Sequence, residues 1–241
     1  MFSFIKKVYR EKWVLRSLFY TVYFNFKMLP IKQACKLPIL LYKPKFLSCN
    51  GKISILGNVA FGMIRLGRYR VPFYPNNGIR INLDGNIVFC GKCDIGNDSV
   101  ISVGKLGELT LGNRFSATAA LKLSCNYRIS FKDNVTIGWD NIIMDSDFHR
   151  MTKSDMTGYT RGVGEILIGS NNWFACRNII LKNTKTPNYC TISATSVLNR
   201  DYSEFGEYSV IGNKNEMSLL RGGVWLDILD PNSSIIEIHD E

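Results

Sequence analysis

The hexad ISATSV, Ile192–Val197, runs as an aliphatic residue, a small residue, two variable positions and a small or β-branched residue. IGNDSV (Ile95–Val100) fits the same template throughout, while IGWDNI (Ile137–Ile142) and IGSNNW (Ile168–Trp173) fit its first two positions. Ile168 and Ile192 are separated by four whole hexads, and Ile95 and Ile137 by seven. A period of six in β-type sequence predicts a hexapeptide β-helix. Each side of its triangular coil is a short strand with one aliphatic residue pointing inward. Each corner needs a small or φ-permissive residue, hence the recurring Gly, Asn and Ser. Three hexads close a coil, and stacked coils pair their strand edges. A β-sandwich also has short strands and turn signals, but it gives no reason for Ile-Gly to recur at multiples of six. Around residues 56–66 and 103–111 the repeat falls out of register.

The expected organisation is mainly β: a β-helix over residues 51–215, preceded by a basic aromatic helical segment (1–50) and followed by a C-terminal tail (216–241). Residues 1–45 read as helical, broken at Pro30, Pro38 and Pro44. Residues 1–50 carry ten basic residues and one acidic residue, so +9 of the net +10 sits there. The longest uncharged run near the start, Ser17–Phe26, has ten residues and is too short to span a bilayer. No small-residue cleavage site follows it, so it makes a poor signal peptide. Two readings stay open for residues 1–45. They lie on an anionic membrane surface as a peripheral anchor, or their aromatics pack on the main domain and the charges form a solvated face.

Seven cysteines without framework spacing fit free thiols in a reducing cytoplasm. Cys90 and Cys93 have CxxC spacing but no second pair or histidine near them, so no metal site is expected.

The polar stretch MTKSDMTGYTRGVGE, residues 151–165, interrupts two good hexads and predicts a loop over about 147–165. Just before it stands DSDFH: Asp145, Asp147 and His149. The only other histidine is His239. Along a strand, 145, 147 and 149 would share one face. An imidazole titrates near neutral pH and suits a general base, and a nearby carboxylate can fix its tautomer. The bland reading is an exposed loop histidine beside two turn-forming aspartates.

Residues 168–201, IGSNNWFACRNIILKNTKTPNYCTISATSVLNRD, closely resemble the terminal coils of hexapeptide-repeat acetyltransferases. The likeness is greatest to bacterial polysaccharide O-acetyltransferases and the maltose and galactoside acetyltransferases. The matching positions are Ile168, Gly169, Asn171, Trp173, Phe174 and Ala175, then Ile180, Leu181 and Lys182, then Ile192, Ala194, Ser196 and Val197. The resemblance implies a left-handed coil, acetyl-CoA as co-substrate, no metal, and a homotrimer with active sites between neighbouring chains. It places His149 on the catalytic base, with Asp147 and Asp145 as its acidic neighbours. It places Cys176 and Ala194 along the pantetheine, and Asn199 and Arg200 toward the polar end of the cofactor; Ala175 beside Cys176, and Lys182 as a cation suited to phosphate, complete the expected cofactor contacts. Family members usually carry Gly where this chain has Ala175 and Ser193, and an Asn-bearing acceptor coil is RFSATAAL here.

The expected activity is O-acetylation of a sugar hydroxyl in a surface polysaccharide or its lipid-linked precursor, in the cytoplasm or peripherally on the inner face of the membrane. N-acylation of an amino-sugar nucleotide and a non-catalytic trimeric scaffold are the alternatives. A γ-type carbonic anhydrase needs three histidines on zinc, and this chain has two. No nucleic-acid motif accompanies the local charge, so nucleic acid is not an expected partner.

Overall fold

The computed structural model describes residues 17–149, 151–154 and 157–212. The basic start (1–16), the tail (216–241) and His239 lie outside the described residues. The chain winds through three parallel sheets, one strand on each side per coil. The first coil is β1 (Ile39–Leu41), β2 (Pro44–Cys49) and β3 (Lys52–Ile55). The second is β4 (Ile64–Arg68), β5 (Ile79–Leu83) and β6 (Asn86–Phe89). Next come β7 (Cys93–Gly96), β8 (Ser99–Val103) and β9 (Glu108–Leu111), then β10 (Phe115–Ala117), β11 (Lys122–Cys125) and β12 (Arg128–Phe131). The fifth coil holds β13 (Thr136–Ile137), β14 (Ile142–Met144) and β15 (Ile166–Ile168). The last strands are β16 (Trp173–Phe174), β17 (Ile179–Ile180), β18 (Thr191–Ile192), β19 (Val197–Leu198) and β20 (Val210–Ile211). The fold is a left-handed parallel β-helix with a small N-terminal helical segment. Face I carries β1, β4, β7, β10, β13, β16, β18 and β20; face II runs from β2 to β19; face III runs from β3 to β15.

The core is a set of aligned columns. On face I, Leu41, Leu66, Ile95, Ala117, Ile137, Phe174, Ile192 and Ile211 stand in register and are all buried. Burying each large aliphatic or aromatic side chain contributes about 1.5–3 kcal/mol.

Coil length explains where the sequence repeat is clean. Trp173 pairs with Thr191, so the register there advances by three whole hexads. In that coil the inward positions Ile168, Phe174, Ile180, Thr186, Ile192 and Leu198 recur at every sixth position. Asn171, Arg177, Asn183, Tyr189 and Thr195 recur at the same interval as corners with φ between 55° and 69°. Nearer the N-terminus, strands such as β9 point two residues inward, Leu109 and Leu111, and the coils are longer. The separation of Ile95 and Ile137 is therefore not built from seven hexads. It is two longer coils of unequal length, Ile95 to Ala117 and Ala117 to Ile137, and neither is a multiple of six.

The β-helix also begins earlier than residue 51. Helix α1 (Leu18–Met28) and the short α2 (Ile31–Ala34) meet the helical expectation, but after Pro38 the apolar Ile39–Leu41 joins face I as its edge strand. Helix α1 covers that edge in an unusual way. Ser17 Oγ accepts from Lys43 N at 3.0 Å, Thr21 Oγ1 from Leu41 N at 3.1 Å, and Asn25 Oδ1 from Ile39 N at 3.2 Å. Asn25 Nδ2 returns a bond to Ile39 O at 2.7 Å. Four helical residues rise about 6.0 Å and two strand residues about 6.6 Å, so side chains at i, i+4 and i+8 match alternate strand N–H groups. The stripe substitutes for a missing strand and satisfies an edge that would otherwise be open.

Candidate active site

His149 does not sit on a strand. β14 ends at Met144, and the chain turns out of the coil at the corner between faces II and III. Asp145, Asp147 and His149 consequently do not share one face: Asp145 is fully buried, whereas Asp147 and His149 are exposed. Phe148 takes φ 60°, which breaks the extended alternation between them.

Asp145 faces back into the coil. Its Oδ1 accepts from Asn126 N at 2.7 Å and its Oδ2 from Tyr127 N at 2.8 Å, so both oxygens hold the corner of the preceding coil. Asp147 faces the following coil, where Lys182 Nζ donates to its Oδ2 at 2.5 Å and to Arg161 O at 2.8 Å. Lys182 thereby ties both stems of the excursion to the β-helix. The excursion is a hairpin, with antiparallel bridges Ser146–Val163 and Thr152–Tyr159. Asp147 N donates to Gly162 O and Gly164 N to Asp145 O. Gly164 abuts Asn183 so closely that a Cβ there would displace the Asn183 side-chain amide. The Arg161 guanidinium lies 5.1 Å from the centre of the Tyr127 ring. His149 is held at the foot of this hairpin and is the one histidine among the described residues.

The residues expected along the cofactor fall on two different edges of the prism. Ala175–Cys176 and Ala194 stack in successive coils at the corner between faces I and II, with Thr195 N donating to Cys176 O at 3.0 Å. Ala175 and Cys176 are half-buried and Ala194 is exposed. Buried asparagines build this corner. Asn141 Nδ2 donates to Gly138 O and Ala175 O, and its Oδ1 accepts from Asn178 N. Asn178 repeats the pattern one coil on, bonding Ala175 O and Ser196 N. Lys182, Asn199 and Arg200 stack instead at the corner between faces II and III, on the same edge as His149. Asn199 and Arg200 are exposed, and the Arg200 guanidinium lies over Tyr202 at 5.3 Å. Face II separates the two groups within one chain.

A loop that the sequence reading passed over adds to the first edge. Residues 69–78, YRVPFYPNNG, leave between β4 and β5 and run down the corner between faces I and II. Asn97 Nδ2 donates to Pro75 O at 3.0 Å and Arg70 Nη1 to Ser116 Oγ at 3.2 Å. Phe73 at the tip is exposed and meets Trp139 edge-on, ring centres 6.1 Å apart. Burial, and then the Asp140 carboxylate, push the Tyr74 phenol above its ordinary pKa, with Arg177 opposing. The aromatic tip thus ends beside the coil that carries Ala175 and Cys176. Its only signal in the sequence was an aromatic pair framed by two prolines.

Trp173 is half-buried on face I. Cys90 and Cys93 are free thiols, and burial raises both their pKa values.

No protein-family model and no curated protein matches the chain. Among solved structures it is similar to the crystal structure of the polySia-specific acetyltransferase NeuO. The TM-score is 0.43 and the identity 16%, over 71% of this chain and 67% of that one.

Proposed function

We propose that the protein transfers an acetyl group from acetyl-CoA to a sugar hydroxyl of a surface polysaccharide or its precursor, with His149 as general base. The observation that carries this reading is the placement of His149. It is exposed, at the foot of a pinned hairpin, on the edge that also presents Lys182 and Arg200. A thioester is already activated, so the chemistry needs mainly a base and a positioned acceptor. The acceptor oxygen attacks the thioester carbonyl carbon as its proton passes to the imidazole. The C–S bond then breaks, and the imidazolium returns that proton to the departing thiolate.

Asp147 and Asp145 act in this reading as positioning residues. Asp147 fixes the hairpin through Lys182, and Asp145 anchors the strand end from which the hairpin departs. A cofactor touching Ala175, Cys176 and Ala194 as well as Lys182, Asn199 and Arg200 must bridge two chains, because the two groups occupy separate edges. A homotrimer, with one chain's first edge facing its neighbour's second, meets that requirement. The aromatic tip of Phe73 and Trp139 then forms a wall for the acceptor sugar.

The test is acetyl transfer to the glycan fraction, measured beside CoA affinity and mass by light scattering. His149→Ala should lose about 10²–10⁴ in transfer rate while CoA affinity and the mass of three chains stay as in the wild type. An enzyme that keeps most of its activity without His149 would end this mechanism.

A further inference from the structure

Helix α1 is turned inside out. Phe19, Val22, Tyr23 and Phe26 stand at i, i+3, i+4 and i+7, the spacing that ordinarily faces a core. Here they face away from it and are 77%, 38%, 45% and 47% exposed. The inward stripe is Thr21, Phe24, Asn25 and Met28, two of them polar and bonded to the edge of β1. The polar stripe is thus committed to the β-helix, and among the described residues the apolar stripe is left exposed. Ile31 and Leu47, 69% and 71% exposed, extend it onto α2 and β2.

The surrounding charge selects the occupant. Between Glu11 and Asp84 the chain has no acidic residue. Lys27, Lys32, Lys36, Lys43 and Lys45 are all exposed, on or beside α1, α2 and β2, and the Lys27 ammonium lies over the Tyr23 ring at 5.7 Å. A second copy docked on this face would set these cations against their own counterparts, a repulsion that the one carboxylate beside it, Asp84, engaged by Ser48 and Asn50, relieves only in part. An anionic lipid surface presents the complementary charge and an apolar interior. Long lysine stems can reach its headgroups while aromatic rings enter the acyl boundary. Among the described residues, no helix is long and apolar enough to cross a membrane. At 11 residues, about 16 Å, α1 can only lie in the interface.

We infer that the outward face of α1, continued by Ile31 and Leu47, is a docking surface for an anionic lipid bilayer. α1 packs on β1, and β13 lies four strands further along face I. At about 4.8 Å per strand, the coil bearing His149 stands about 19 Å above β1, and the helix adds about 10 Å between β1 and the docked face. This geometry holds the site within reach of an acceptor anchored in the same membrane.

The experiment is vesicle co-sedimentation of the full chain with phosphatidylglycerol-containing vesicles and with phosphatidylcholine vesicles. The full chain should bind the anionic vesicles and largely ignore the neutral ones. The triple variant Phe19→Ser, Tyr23→Ser, Phe26→Ser should bind at least about tenfold more weakly. Phe19→Ser alone, at the most exposed of these positions, should weaken binding several-fold with no change in unfolding midpoint, which guards against misfolding of the triple variant. Two results would overturn the inference. One is Phe19→Ser and triple variants that bind as the wild type does, which would assign binding to charge alone. The other is a vesicle-free doubling of mass that these substitutions abolish, which would assign the face to a second copy. Neither readout involves acetyl transfer, so the proposed chemistry stands or falls separately.

Discussion

Asp145 and Asp147 look equivalent in DSDFH, and their separate roles can be measured. Asp145 is fully buried and takes one backbone N–H on each carboxylate oxygen, from Asn126 and Tyr127. Hydrogen bonds to a charged group contribute about 1.5–3 kcal/mol each, and burying a donor without a partner adds its desolvation cost. Asp145→Ala removes both bonds at once. Because the two N–H groups are only partly buried, water recovers some of the loss, and the expected destabilisation is about 2–4 kcal/mol. Asp145→Asn keeps one acceptor oxygen but turns an NH₂ toward the second donor, so about 1.5–3 kcal/mol is expected. The assay pairs urea denaturation with acetyl transfer at a temperature where every variant is folded. Stability should fall in that order, while transfer by the folded fraction stays within several-fold of wild type. Unchanged stability together with a collapse of transfer would refute the anchoring role and make Asp145 a direct partner of the base.

Lys182→Met removes the donor to Asp147 and Arg161, so the hairpin should become more sensitive to proteolysis near residues 151–160 and transfer should drop about tenfold, less than for His149→Ala. Burial raises the thiol pKa of Cys49, Cys93, Cys125 and Cys190, the last to about 11. Thiolate is therefore scarce at pH 8, and a short maleimide exposure should label Cys35 and Cys176 first. Acetyl-CoA should protect Cys176 and leave Cys35 unaffected; equal labelling of Cys176 with and without it would remove the cofactor from that edge.

The last coils were legible because one inward residue per side forces a strict period of six, as in Ile168, Phe174, Ile180 and Ile192. The earlier coils were not, because sides that bury two residues lengthen each turn and hide the period. Corners were partly concealed as well: Arg177, Tyr189 and Thr195 adopt left-handed φ without being glycine or asparagine. Spacing alone could not separate Asp145 from Asp147, because the strand stops just before the pair begins. In α1 the usual assignment of faces fails. Ser17, Thr21 and Asn25 look like a solvated stripe until the edge they satisfy is known.

An open end of a parallel β-helix is a template: any strand of suitable length can add to it, and identical prisms can join end to end into a filament. By occupying the donors of Ile39, Leu41 and Lys43 with side chains instead of a backbone, α1 finishes face I with something that cannot itself be extended. A variant lacking that stripe would keep its core columns and lose its stop. Its failure would therefore appear as growth of assemblies along the axis before any unfolding of the coils.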